Sequence, residues 1–219
     1  SDVYKRQRQD RERVQQVLSE RRGDGTWADS VAGDMERHYS PGRTWEATAR
    51  GLVHLLDPGD VLDIASGDGV LAELLAPRAR AITCLDISER VVEAGRRRLE
   101  RFDHVQFEIG DMHALPVSDA AFDTVLLMHA LTYTEQPAKV FGEAGRVLRT
   151  GGKLLAVTLQ KHPHEKAVAP FNHLNLGFTR AQLEKLATDA GLDVLACTVS
   201  AVEKRSPNFS VLALCAVKP

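Results

Sequence analysis

The chain has 219 residues, 43% of them hydrophobic and 26% charged, which fits one globular domain with a short extension. Its formal net charge of -2 gives no overall basic character of the kind typical of nucleic-acid binding, so none is expected through this domain, although a local basic patch stays open. No apolar run is long enough for a membrane span. Cys84, Cys197 and Cys215 lie far apart inside apolar runs, so we expect them to be core residues in a reducing, cytoplasmic compartment.

The leading part of the chain is predicted to lie outside the main domain. Residues 1–7 resemble a translated sequencing-adaptor remnant and are excluded from the fold. Residues 8–25 are strongly charged and predict an exposed linker helix, which indicates a fragment of a longer protein. Residues 26–219 are predicted to form the domain itself. It begins with two helices over 27–38 and 44–56.

From Asp60 onward, short β-branched or apolar runs alternate with helical periods, which is typical of a parallel sheet with crossover helices. Strands are predicted over 61–64, 81–85, 105–109, 124–128 and 153–158. Helices are predicted over 70–75, 89–101, 138–148 and 180–190. Gly151 and Gly152 are predicted to stop the helix over 138–148, and Thr179 to cap the helix over 180–190. The final runs, 193–202 and 209–217, predict an antiparallel pair. The fold class is therefore α/β, a doubly wound, seven-stranded, mostly parallel sheet with a reversed last strand.

The strongest motif is the strand over 60–64 followed by a glycine-rich turn. Glycines at Gly67 and Gly69 let the backbone approach a ligand closely, and the turn places that ligand at a helix N-terminus. With Ala72 they also match the dinucleotide pattern, so the glycines alone leave a nicotinamide cofactor and S-adenosylmethionine open. Asp63 favours S-adenosylmethionine over a nicotinamide cofactor. A carboxylate at this strand end can meet the cationic amino end of S-adenosylmethionine and would repel a pyrophosphate.

Two later strand ends supply further acidic residues. Asp86 ends the second strand, about 20 residues after the loop, where a carboxylate accepts hydrogen bonds from both ribose hydroxyls. Its alternative role, capping the next helix, is better served by Ser88. Asp111 follows the third strand and can accept a hydrogen bond from the adenine amino group, while Met112 can cover the ring face. An ordinary loop aspartate is the alternative at that position.

Together these motifs resemble the class I, Rossmann-like S-adenosylmethionine-dependent methyltransferases, in their type 11 branch. The stretches that carry the resemblance are VLDIASGDG over 61–69, LDIS over 85–88, GDMHALP over 110–116, FDTVLLMHAL over 122–131 and LRTGGKL over 148–154. The resemblance implies S-adenosylmethionine as cofactor and methyl transfer to a small-molecule acceptor. Ala65 departs from the glycine that is usual in the family. Its methyl group is a small intrusion that bears on cofactor affinity rather than on the fold.

More narrowly, the chain resembles the C-terminal methyltransferase half of bacterial fusions with an ArsR-type regulator. The charged stretch 11–22 followed by 27–39 resembles the junction in those fusions. The resemblance implies a preceding winged-helix domain that could bind DNA, whereas DNA binding is not assigned to the residues of this chain.

Family resemblance also implies roles for residues outside the three acidic positions. Tyr39 and Arg43 are candidates for binding the methionine carboxylate, and Trp45 for an apolar wall, with simple packing as the alternative. His129 leaves the fourth strand near the path of the methyl group and is a candidate general base, although a packing histidine is the alternative. The remaining candidate cofactor contacts are Ile87 and Met128.

The region after the fifth strand is predicted to line the acceptor pocket through Phe171, Asn172 and His173. His162 and His164 lie on a loop and lack the spacing on rigid elements that a metal site needs, so no metal is predicted. Two other functions remain open. A non-catalytic domain could sense S-adenosylmethionine or its demethylated product, and an NAD(P)-dependent oxidoreductase is the less favoured reading of the glycine pattern.

Overall fold

The computed structural model describes residues 44–219 of the chain. Residues 50–219 form one compact unit. The predictions for residues 1–7 and 8–25, and those for Tyr39 and Arg43, lie outside the described residues.

A seven-stranded sheet runs through this unit in the order β3-β2-β1-β4-β5-β7-β6. Its strands are β1 Asp60–Ile64, β2 Ala81–Asp86, β3 Val105–Ile109, β4 Phe122–Met128, β5 Leu148–Leu159, β6 Asp193–Val202 and β7 Ser210–Val217. The first five strands pair in parallel, while β7 is antiparallel to both of its neighbours, β5 and β6. The predicted doubly wound α/β sheet with a reversed last strand is confirmed.

Helices connect the strands as the alternating sequence pattern predicts. They are α1 Trp45–Val53, α2 Val70–Leu75, α3 Glu89–Arg98, α4 Pro137–Val147, α5 Glu165–Val168 and α6 Arg180–Asp189, with 3-10 turns at Leu131–Tyr133 and Ala169–Phe171. Both predicted caps are confirmed: Ser88 accepts from the amide of Val91, and Thr179 forms a capping box with Gln182. None of the helices in the described part of the chain is long and apolar enough to span a membrane.

Four predicted helix ends are wrong, including that of α6, which ends at Asp189 rather than at residue 190. The helix predicted over 138–148 ends at Val147, because the fully buried Leu148 takes extended backbone and pairs with Phe122. Gly151 therefore lies inside β5 rather than ending a helix. The helix predicted to reach residue 101 ends at Arg98, where Leu99 turns inward and is only 2% exposed. The helix predicted to reach residue 56 ends at Val53.

Hydrophobic residues form two clusters, one on each face of the sheet, and β1 contributes to both. Leu62 and Ile64 belong to the cluster that also holds α4 and α6 residues. Val61 belongs to the cluster that holds residues of α2 and α3. Because side chains alternate along a strand, Asp63 points to the same face as Val61.

The amino ends of the strands are joined by a network of ion pairs. The carboxylate of Asp60 forms ion pairs with two arginines, at 2.7 Å from Nε of Arg80 and 2.8 Å from Nη1 of Arg149. Asp123 accepts from the backbone amide of Asp60 at 2.8 Å and lies 2.9 Å from Nη1 of Arg149. Every carboxylate of this network therefore has a cationic partner.

Candidate functional site

The loop after β1 is attached to the end of β2 by Asp86. The amide of Ser66 donates to the carbonyl of Leu85 at 3.0 Å, and the amide of Gly67 donates to Oδ2 of Asp86 at 3.1 Å. Oδ1 of Asp86 accepts from the amide of Ser88 at 3.0 Å. Each carboxylate oxygen thus receives one backbone bond and keeps lone pairs for a further donor.

The two glycines of the loop serve different purposes. Both have positive φ, 59° at Gly67 and 79° at Gly69. A Cβ on Gly67 would meet open space, whereas one on Gly69 would lie 2.7 Å from the ring of Phe107 and 2.9 Å from Leu99. Gly69 therefore has a packing reason to be glycine, and Gly67 is the glycine that faces open space.

Ala65 begins the loop in a left-handed conformation, with φ of 55°. This conformation costs a residue other than glycine about 1 to 2 kcal/mol. The methyl group packs against the hydrophobic cluster on the α4 and α6 face of the sheet. The alanine is thus accommodated at a position where the backbone suits glycine better.

Asp63 is the most deeply buried carboxylate of this edge, with 2% exposure. Burial, and secondarily the negative charge of Asp86, raises the pKa of Asp63 to about 7. The thiol of Cys84, the register partner of Asp63, also has a raised pKa, chiefly because of burial and next because of the Asp63 charge. The ionised form of Asp63 would be stabilised by a cation brought to this position.

Asp111 follows β3 and lies beside the end of β2. The amide of Gly110 donates to the carbonyl of Asp86 at 3.0 Å. Oδ1 of Asp111 accepts from the backbone amide of His113 at 2.9 Å, and Nδ1 of the same histidine lies 2.6 Å from it. These bonds to His113, the backbone bond first, lower the pKa of Asp111. The structure therefore brings Asp63, Asp86 and Asp111 to one edge, at the carboxyl ends of three neighbouring strands.

The predicted apolar contacts flank these carboxylates. Ile87 directly follows Asp86 and is 74% exposed. Met112 packs against the cluster on the α4 and α6 face, and Met128 against the cluster on the opposite face. Their roles as cofactor contacts stay predictions. The same holds for Trp45, the first residue of α1, whose side chain is 81% exposed.

His129 and His173 approach each other beyond the ends of β4 and β5. His129 is exposed, has φ of 60°, and donates its amide to the carbonyl of Val157 at 2.7 Å. Burial, and next the proximity of His129, lowers the pKa of His173. The ring of Tyr133 meets that of His173 edge-on at 5.2 Å, and Phe171, 61% exposed, lies 6.2 Å from it.

The other histidines of this region pack on an aromatic ring. His162 stacks on His164 at 5.8 Å and meets Phe209 edge-on at 4.7 Å. Between residues 44 and 219 there is no group of three or more His, Cys, Asp or Glu side chains suited to hold a metal ion. Asn172, predicted to line the pocket, has φ of 57° and ends the second 3-10 turn.

Three polar residues of the site were missed by sequence reasoning. His113 bridges Asp111 to Thr134, with Nε2 2.7 Å from the threonine Oγ1. Asn175 donates to the carbonyls of Leu131 and Thr134 at 2.8 and 3.0 Å. Only the first had a local signal, because an aspartate followed two residues later by a histidine can close on itself in a turn. The partners of Thr134 and Asn175 are distant in sequence.

Comparison with known proteins gives this arrangement a family context. Residues 62–156 match the family model described as "Methyltransferase domain". A demethylmenaquinone methyltransferase of Tropheryma whipplei is 31% identical over 144 residues, which cover 65% of this chain and 58% of that protein. A "probable S-adenosylmethionine-dependent methyltransferase" of Mycolicibacterium smegmatis is 31% identical over 156 residues, covering 69% and 59%. This chain thus spans less than two thirds of the length of either relative.

The fold is shared with solved structures at lower identity. A structure of an S-adenosylmethionine-dependent methyltransferase from Methanosarcina mazei aligns with a TM-score of 0.64 and 18% identity, over 76% of this chain and 96% of that one. At this identity the likeness shows the fold, and the fold places the ends of β1, β2 and β3 at one edge of the sheet.

Proposed function

We propose that this chain binds S-adenosylmethionine as its cofactor and transfers the cofactor's methyl group to a small-molecule acceptor. The observation that carries the proposal is the buried carboxylate of Asp63 on the strand before an open glycine loop. Because Asp63 is buried, its ionised form needs a cationic partner to be stable. The α-ammonium of S-adenosylmethionine supplies one, whereas a pyrophosphate would be repelled.

The other two carboxylates suit the remaining parts of the same cofactor. Asp86 retains lone pairs for the two ribose hydroxyls beyond its bonds to Gly67 and Ser88. Asp111 stays ionised because His113 lowers its pKa, and it can accept from the adenine amino group. Asp63, Asp86 and Asp111, at three neighbouring strand ends, thus suit the α-ammonium, the ribose diol and the adenine amino group of the cofactor, in that order.

The chain's contribution to methyl transfer is orientation. Bound S-adenosylmethionine supplies an activated methyl group on a sulfonium, so the protein needs chiefly to align donor and acceptor. A base is needed only if the acceptor must lose a proton. We assign that role to His129, which is exposed beyond β4 and lies near His173.

The acceptor is proposed to have a flat apolar body. Tyr133 and Phe171 expose 46% and 61% of their surface and both contact the ring of His173. A histidine with a lowered pKa stays uncharged near neutral pH and can pack against such a body. The Tropheryma whipplei relative, named demethylmenaquinone methyltransferase, supports an acceptor of this kind.

The proposal extends to the parts of the chain that the resemblance implies. Residues 26–219 would form the methyltransferase domain, with Tyr39 and Arg43 binding the methionine carboxylate. Residues 8–25 would link it to an ArsR-type regulator, and the protein would act in the cytoplasm. The support for these points is the resemblance of the sequence motifs.

Thermal unfolding with added ligands tests the proposal. S-Adenosylmethionine and S-adenosylhomocysteine should raise the thermal midpoint, since a ligand at 100 times its dissociation constant stabilises the native state by about 2.7 kcal/mol. NAD should not. A shift with NAD and none with the other two would overturn the assignment. Radiolabelled methyl transfer to a panel of hydroxylated aromatic compounds then separates an enzyme from a sensor, because a sensor binds the cofactor without turnover.

A further inference from the structure

The adenine end of the site contains a histidine that holds one face of Asp111. Oδ1 of Asp111 accepts both the backbone amide of His113 at 2.9 Å and the ring Nδ1 at 2.6 Å. Within residues 44–219, the hydrogen bonds that the structure records for this carboxylate all reach Oδ1. Because the Asp111 side chain is 53% exposed, Oδ2 remains available to a ligand.

The opposite side of the His113 ring is fixed by Thr134. Nε2 lies 2.7 Å from Oγ1 of Thr134, a residue that is 1% exposed. The same Oγ1 accepts from the amide of Gln136 at 2.8 Å. Because the ionised carboxylate of Asp111 can only accept, the proton of the neutral imidazole is assigned to Nδ1, and Nε2 then accepts from the Thr134 hydroxyl.

A second, independent anchor holds the loop that carries these residues. Oε2 of Glu143 accepts from the amide of Leu115 at 2.6 Å, and Arg146 donates to the carbonyls of Leu115 and Val117 at 3.1 and 2.9 Å. Glu143 and Arg146 of α4 thus hold the loop through bonds that do not involve the His113 ring. The ring itself joins Asp111 to Thr134.

We propose that His113 is a positioning residue that makes the site selective for adenine. It occupies Oδ1 of Asp111 and leaves Oδ2 as an acceptor aimed at a purine bearing an exocyclic amino group. A purine with a carbonyl in that place would set an acceptor against a carboxylate. The inference rests on the proposed function, since it assumes that Asp111 faces the adenine of S-adenosylmethionine.

Calorimetric titration with two ligands tests the proposal. The first ligand is S-adenosylhomocysteine, and the second is S-inosylhomocysteine, in which a carbonyl replaces the adenine amino group. His113→Ala should lower affinity for the adenosyl ligand about tenfold and change affinity for the inosyl ligand less than twofold. His113→Asn carries an amide nitrogen where Nδ1 stood and should return to within about threefold of the parent.

The controls separate positioning from loop structure. His104→Ala removes a histidine whose Nε2 lies 2.9 Å from the carbonyl of Ala76, away from Asp111, and should leave both affinities unchanged. In turnover assays, His113→Ala should raise KM for S-adenosylmethionine and leave kcat unchanged. Equal weakening of both ligands, or no weakening of either, would overturn the inference. Failure of the parent to bind S-adenosylhomocysteine would instead overturn the proposed function.

Discussion

The two ends of β1 hold aspartates in opposite circumstances. Asp60, at the amino end, binds two arginines, and its pKa is lowered chiefly by the hydrogen bond from Arg80. Asp63, toward the carboxyl end, is buried beside another carboxylate, and its pKa is raised to about 7. One edge of the sheet therefore satisfies its charges within the protein, and the other leaves a charge for a ligand to satisfy.

Backbone strain, unlike charge, is present at both edges. Ala65 and His129 have positive φ at the carboxyl edge, and Ala120, just before β4, has φ of 49° at the amino edge. At the amino edge Gly59 also has positive φ, and a Cβ there would collide with Asp123. It is therefore the unmatched charge that distinguishes the edge where the ligand is proposed to bind, while the ion pairs of the amino edge stabilise the fold.

The largest expected effect concerns the charge of Asp63 in the ligand-free protein. Its pKa is 3.8 in a model peptide and about 7 in the folded chain, so its contribution to stability is full below pH 4 and is lost as pH rises to 7. Asp63→Asn should therefore be more stable than the parent at pH 8, by up to about 4 kcal/mol. Urea unfolding at pH 5 and pH 8 measures the difference. An equal stability gap at both pH values would contradict the account.

Removing the Asp86 side chain should strongly reduce ligand affinity at the carboxyl edge of the sheet. Asp86→Ala should weaken binding of S-adenosylhomocysteine by about 30- to 1000-fold, because charge-assisted bonds to the ribose and the bond that holds the Gly67 amide are lost together. Asp86→Asn should lose less, since its amide oxygen still accepts. Asp189→Ala, at an exposed ion pair on α6, is the control in the same titration. Parent-like binding by Asp86→Ala would place the ribose elsewhere.

Removing Asp123 should damage stability and spare binding. Asp123→Ala leaves the Asp60 amide without its acceptor and removes a partner of Arg149, which should lower the free energy of unfolding by about 1 to 2 kcal/mol. Affinity for S-adenosylhomocysteine should change less than twofold. Paired unfolding and titration experiments check both. A large loss of affinity would mean that the two edges are not independent.

The smallest expected effect is relief of strain at Ala65. Ala65→Gly should stabilise the protein by less than about 1 kcal/mol, since the gain at positive φ is partly offset by the greater backbone entropy of glycine in the unfolded chain. The thermal midpoint measures it. Clear destabilisation would show that packing of the Ala65 methyl group outweighs the conformational strain.

The sequence predicts the fold well because its signals are local. β-Branched runs mark the strands, and Ser88 and Thr179 mark helix starts through side-chain bonds a few residues away. Helix ends were predicted less well. Burial of Leu99 and pairing of Leu148 with Phe122 decide them, and both depend on the assembled sheet.

In the site, too, features with local sequence signals could be predicted, and contacts between residues distant in sequence could not. Asp63, Asp86 and Asp111 could be predicted because each follows a recognisable strand, and parallel strands bring their ends together. The bonds that hold the site join residues far apart in sequence: 19 residues separate Gly67 from Asp86, 21 separate His113 from Thr134, and 41 separate Thr134 from Asn175. No local pattern encodes such pairs, so they emerge only from the fold.

The central claim is that the charge of Asp63 receives the cationic end of the cofactor. Calorimetric titration of S-adenosylhomocysteine into the parent and Asp63→Asn, from pH 6 to pH 8, tests it directly. Because only ionised Asp63 attracts the ammonium group, affinity of the parent should fall up to about tenfold per pH unit below 7. Asp63→Asn should bind more weakly at pH 8 and show no such dependence. Equal affinity of the two proteins at pH 8, with the same pH profile, would contradict the claim.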